Sequence, residues 1–272
     1  MKKALIQVFI YFGLQLFAPI LVLIPRAVYL FCTTGKFDVT ALTQSVMIPS
    51  LLIAILLMTV YLWKAGFISK EKRTWSPVSA LLMGLNIVFF LSGIWLVSIL
   101  MLHMEWIPDL LEQSLEQIIS SWWGIFAIAV AGPILEELLF RGAVEKLLLQ
   151  QYTPAKAILF SALIFGVFHL NPAQIVPAFF MGLMLGWMYY KTGSLIPCIV
   201  VHILNNSLSV YLMINFPDTK EVDDLVSGPT YWAIALVAVG LLIGTYYLLK
   251  RMPITYTWKK EVTNNIDTTV TE

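Results

Sequence analysis

The residues best suited to chemistry in this sequence are a few polar groups set inside apolar runs. Of its three histidines, His169 and His202 lie in such runs, with Asn205 and Asn206 just beyond His202 and with Glu136, Glu137 and Arg141 in a third run. A charged group at the centre of a membrane helix costs roughly 2.5–3.5 kcal/mol on insertion scales, so each needs a reason to be there. Glu137 and Arg141 are four apart, share one helical face and can neutralise each other. Glu136 points about 100° away and is left free for chemistry. His202 and Asn206, also four apart, would present an imidazole and an amide to one spot. Asn205 faces another side and reads as a helix–helix hydrogen bond. A carboxylate and an imidazole from separate helices can hold a water and take its proton, while a second imidazole and an amide can donate to a developing oxyanion. Such a set suits amide hydrolysis. Gly132-Pro133 removes a backbone hydrogen bond just before the acidic pair and should bend or loosen that helix, aiming Glu136 inward. Either histidine alone would be an ordinary packed helix residue; their occurrence together with Glu136 is what points to a site. His103 lies at a span end and reads as unrelated.

The elements that must position these groups are membrane helices. The chain of 272 residues is 59% hydrophobic and 12% charged, with a mean hydropathy of +0.83, far more apolar than a soluble domain. About 20 apolar residues cross a hydrocarbon core. Stretches that meet or approach this are 4–25, 42–63, 78–101, 119–140, 155–171, 174–190, 194–213 and 231–249. The expected fold is therefore all-α, a polytopic membrane protein of about eight transmembrane helices. With both termini cytoplasmic, every one of the 17 cations except Arg26, Lys36 and Lys220 falls on the inner side. The outer loops are acidic, with Glu105, Asp109, Glu112 and Glu116 in one and Asp218, Glu221, Asp223 and Asp224 in the other. On this topology Glu136, His169 and His202 should meet in the middle to inner part of the membrane, in a cavity open to the cytoplasm or to the lipid on that side. Met1-Lys2-Lys3 leads into a run too long for an ordinary signal peptide and reads as an uncleaved anchor. Cys32 and Cys198 lie on opposite sides and should not pair.

Segment 103–118 alternates apolar and acidic residues, as an interfacial helix would. Gly182, Gly186 and Tyr189 form a small-residue face for close helix packing. Trp122, Trp123, Tyr189, Tyr190, Tyr231 and Trp232 read as interfacial anchors. The polar tail from Thr255 is expected to be mobile.

The sequence resembles the CPBP family of CAAX proteases and bacteriocin-processing enzymes, also called the Abi family, which is related to Rce1-type prenyl-protein endopeptidases. Glu136-Glu137-Leu138-Leu139-Phe140-Arg141 matches its Glu-Glu-x-x-x-Arg motif. Phe165 to His169 matches Phe-x-x-x-His, and His202 to Asn206 matches His-x-x-x-Asn, in the required order. The likeness covers roughly residues 119–213. It implies a catalytic core at 119–213, preceded by three helices and an outer interfacial segment at 1–118. An outer loop and last helix at 214–250 and a cytoplasmic tail at 251–272 follow. It further implies Glu136 and His169 as the water-activating pair, His202 and Asn206 as oxyanion stabilisers, and Glu137 with Arg141 as structural support. The chemistry admits a metal-free glutamate mechanism or Zn²⁺ on Glu136, His169 and His202 with one position open.

Three functions compete on these residues: an intramembrane endopeptidase, a non-catalytic bacteriocin-immunity or scaffold protein, and a proton-coupled transporter. The intact motif residues favour the first, and the absence of paired repeats disfavours the third. The expected partners are the bilayer and a membrane protein or peptide substrate, with no nucleic acid, in what reads as a bacterial cytoplasmic membrane.

Overall fold

A computed structural model describes residues 1–36, 38–104, 106–217, 226 and 228–254, and all regular structure among them is helical. The polar tail and most of the second acidic loop lie outside the described residues. Helices α1 (Lys2–Thr34), α2 (Val39–Lys64) and α3 (Ala80–Leu102) precede the short α4 (Glu112–Ile119). The chain continues through α5 (Trp122–Leu149), α6 (Pro154–Phe168), α7 (Pro172–Thr192), α8 (Ile196–Asn215) and α9 (Gly228–Arg251). Seven of these are long and apolar enough to cross a membrane, which makes this a multi-pass membrane protein. The eighth apolar segment, α6, has 15 residues and is only about 22 Å long. It starts at Pro154 and stops at the turn that carries His169, so it ends at a depth set by that turn.

Local chemistry fixes the helix ends. Asp38, Ser79 and Ser121 each accept a hydrogen bond from a backbone N–H in the first turn of α2, α3 and α5. Gly35 and Gly193, at φ of 67° and 66°, close α1 and α7 in the left-handed conformation. Helix α5 runs nine residues past the span expected to end at 140. Arg141 and Glu145 look like the charged border of a membrane segment, yet both are buried and face each other.

Helix α5 is the axis of the bundle: half of its most apolar window is buried, and α1, α2, α6 and α8 all pack on it. Helices α6 and α7 form a tight hairpin. Gly166 faces the Ile175 carbonyl, and a methyl added to Gly182 would lie 2.9 Å from Ala162 Cα. Because the neighbour is backbone, Gly182→Val should cost about 1–3 kcal/mol by overpacking. It should lower the temperature at which the purified protein loses its fold in detergent; an unchanged melting temperature would contradict this packing.

The two ends of the bundle differ in charge. Met1, the 65–79 segment, the α5–α6 turn and the α7–α8 turn share one end, joined by Met1 N to Gln151 Oε1 at 3.0 Å, Lys146 to Glu71 at 3.4 Å and Leu195 N to the Thr74 carbonyl at 2.9 Å. Lys191 Nζ donates to the Met252 carbonyl at the same end, so the chain begins and leaves the bundle on one side. The opposite end holds the α3–α4 segment and the α6–α7 turn, joined by Asn171 and Asp109. Of the expected aromatic anchors, Trp122, Trp123 and Trp232 are exposed, whereas Tyr189 and Tyr231 are buried. Their rings pack inward because their helices turn those faces to the bundle: Tyr231 lies against Trp95, and Tyr189 lies within the core.

Candidate active site

The fourth span carries Glu136 and Glu137 between two wider turns, Ala127–Ala131 and Phe140–Glu145, where the backbone adopts the π-helical pattern. Pro133 lacks an N–H, and a π turn next to it absorbs the lost bond; such turns recur at functional sites. The expected loosening before the acidic pair thus takes the form of a π segment.

Glu137 is fully buried and holds two groups on one oxygen. Its Oε1 accepts from Arg141 Nη1 at 2.8 Å and from His202 Nδ1 at 2.7 Å. Arg141 also donates to the Gly182 carbonyl at 3.2 Å and lies 4.7 Å from the centre of the Phe165 ring. The pair read as structural support therefore grips the imidazole as well. With Nδ1 turned to Glu137, His202 Nε2 faces Glu136 Oε2 at 3.5 Å. The Glu136 side chain is 20% exposed and lines a cavity of about 570 Å³, whereas His202 is 1% exposed.

His169 lies just past the end of α6. Its Nδ1 donates to the Phe165 carbonyl at 2.8 Å, since a carbonyl can only accept. In the neutral ring that leaves Nε2 with its lone pair, and the ring lines the same cavity. Phe165 thus touches three parts of the site: its carbonyl fixes His169, its ring receives Arg141, and its edge packs against His202.

Asn206 lines the cavity and donates from Nδ2 to the Ile128 carbonyl at 3.1 Å, inside the first π segment. The second hydrogen on that nitrogen has no such bond to Ile128 and is available to a ligand. Asn205 differs from its expected place: it lines the cavity too and donates to Asn206 Oδ1 at 3.2 Å, rather than bonding a neighbouring helix. The side chain is long enough to reach along its own helix, which angular spacing does not reveal.

Contributors from three parts of the chain are not visible in the motifs. Tyr11 and Gln15 of α1 line the cavity, and Tyr11 stacks on Phe168 at 5.3 Å. Glu145, buried, lies 4.0 Å from Arg141 Nε, so the guanidinium sits between two carboxylates. Its i,i+4 spacing from Arg141 was a readable signal. The third is Asn171, 1% exposed, whose Oδ1 accepts from Leu110 N at 3.0 Å while its Nδ2 donates to Asp109 Oδ1 at 2.8 Å. It follows Leu170, whose φ of 54° is uncommon for a residue with a branched side chain. This clamp holds the turn that carries His169. Asn171→Ala leaves the Leu110 N–H without its partner, at about 1–3 kcal/mol. Turnover per folded molecule should fall several-fold; unchanged turnover would show that the clamp does not position His169.

The cavity lies toward the end of the bundle away from Met1, whereas the sequence placed it toward the end that carries Met1. Its walls come from the acidic end of the bundle, because His169 sits at the end of a short helix rather than midway along a full span.

Residues 118–208 match the family model described as type II CAAX prenyl endopeptidase Rce1-like. This segment is Rce1-like. It contains every residue of the Glu137, Arg141, His202 and Glu136 chain together with His169 and Asn206. The match supports a membrane protease acting on a membrane-associated substrate. No curated protein and no solved structure matches the chain.

A metal in the Rce1-like site would need Glu136, His169 and His202 as ligands. Among the described residues no group of three His, Cys, Asp or Glu side chains converges closely enough to hold one. The donor set thus does not fit a preformed Zn²⁺ site.

Proposed function

We propose that the protein is an intramembrane endopeptidase that hydrolyses a peptide bond of a membrane-associated protein or peptide. The observation that carries this reading is a partly exposed carboxylate, Glu136, beside a histidine locked from behind by the buried Glu137–Arg141 pair, both facing one cavity. A water between Glu136 and His169 Nε2 gives its proton to Glu136 as its oxygen attacks the scissile carbonyl. The oxyanion receives hydrogen bonds from Asn206 Nδ2 and from His202. A proton on His202 Nε2 makes that ring a cation held between two carboxylates, ready to donate. When the tetrahedral intermediate collapses, the C–N bond breaks and Glu136 returns the proton to the leaving amine.

Membranes containing native protein or His169→Gln, at equal abundance, test this reading by peptide mass spectrometry. Fragments present with native protein should be lost or strongly reduced in the variant. Identical fragment profiles, with any cellular phenotype retained, would favour a non-catalytic immunity or scaffold role.

A further inference from the structure

We propose that the site is entered from the extracytoplasmic face, so that the bond it cuts belongs to a polypeptide segment presented at the outer half of the membrane. This rests on the peptidase reading and names the side from which its substrate comes. Three independent features of the chain lead to it.

The first is where the cavity walls lie. Beyond the polar residues, they include Ser98 and Met101 at the end of α3, Leu115 and Ile119 of α4, Gln174 in the first turn of α7 and Met213 near the end of α8. All six belong to the end of the bundle that bears the α3–α4 segment and the α6–α7 turn.

The second is what closes the other side. Continuing along α5 from Glu136 toward the end that carries Met1, the chain passes Leu139, Phe140, Arg141 and Leu148, each fully buried, with Phe165 and Leu185 packed among them. A polypeptide cannot pass this layer without unpacking the buried Glu137–Arg141–Glu145 group. The cavity is a blind pocket with its floor toward the basic end.

The third is the charge at the two ends. Lys64, Lys70, Lys72, Arg73, Lys146 and Lys191 are among the cations near the floor end, whereas the described residues at the mouth end include only Arg26 and Lys36 as cations. Cationic loops stay in the cytoplasm, so the floor faces inward and the mouth outward. Helix α4 fits a mouth at the interface: Leu115 and Ile119 face the cavity while Glu112 and Glu116 are exposed. A bond at the cytoplasmic surface would meet the packed floor instead.

The test is thiol labelling of intact cells with a membrane-impermeant maleimide. It uses single-cysteine proteins in a background lacking Cys32 and Cys198. Ser209→Cys and Ser98→Cys report the cavity. Cys32 alone, exposed at the mouth end, and Lys70→Cys at the floor end report orientation. The expected result is labelling of Cys32, Ser209→Cys and Ser98→Cys from outside, with Lys70→Cys labelled only after permeabilisation. Labelling of Lys70→Cys in intact cells overturns the proposal. So does failure of both cavity cysteines to label until permeabilisation, or at any stage. Labelling needs no turnover, so the peptidase reading fails separately, through fragment profiles that do not depend on His169.

Discussion

Glu136→Gln should leave the fold intact and lower peptide-bond hydrolysis by about 10²- to 10⁴-fold, the range that a positioned general base supplies. Both halves follow from its surroundings. The carboxylate is partly exposed in the cavity, and its one close ionic neighbour among the described residues, His202 Nε2, is 3.5 Å away. Removing its charge leaves no buried cation stranded, because His202 keeps Glu137 and Arg141 keeps both Glu137 and Glu145. The glutamine amide cannot take a proton from water. Purified native protein and variant should therefore show the same melting temperature and differ in product formation. Equal turnover would remove Glu136 from the chemistry, and a variant that fails to fold would make it structural.

Arg141→Met should do the opposite and remove the folded protein. Methionine fills part of the space, but Glu137 and Glu145, both buried, are left near each other without the guanidinium. Breaking a buried pair by removing one partner costs about 3–5 kcal/mol. The bond to the Gly182 carbonyl and the contact with the Phe165 ring are lost as well. The yield of monodisperse protein after detergent extraction should collapse, and no substrate should rescue it. If Arg141→Met extracts and melts like the native protein, the buried chain does not hold the helices together. Adjacent acids in the sequence thus differ sharply in surroundings: Glu136 faces the cavity, while Glu137 faces Arg141 and His202.

Much of this is legible in the amino-acid sequence. The apolar runs mark the spans, because each helix must offer apolar residues to lipid for its whole crossing. The i,i+4 spacing of Glu137 and Arg141 identifies their pairing, and that of His202 and Asn206 puts both on the cavity. Rotation about a helix axis follows from spacing alone. Displacement of one helix along another does not, and the main departures share that origin. His169 looked midway along a span, yet α6 is short and its end is set by the Asn171 clamp to Asp109 and Leu110. The cavity therefore lies toward the end of the bundle away from Met1, not toward the end that carries it. Helix α5 looked finished at Arg141 because a charge normally marks the edge of a span; burial opposite Glu145 lets it continue. Tyr189 and Tyr231 have the composition of interfacial anchors, but Tyr231 packs on Trp95 of α3 and Tyr189 lies within the core, and no local pattern carries that information. The contribution of α1 through Tyr11 and Gln15 was hidden for the same reason.

The most direct measurement of the central claim is a digestion in water enriched in heavy oxygen. Membranes containing native protein or Glu136→Gln at equal abundance would be incubated and their peptides read by mass spectrometry. The account predicts fragments found only with native protein, each carrying one heavy oxygen in its new carboxyl group. Identical fragments from both preparations would contradict water activation by Glu136 and with it the peptidase assignment.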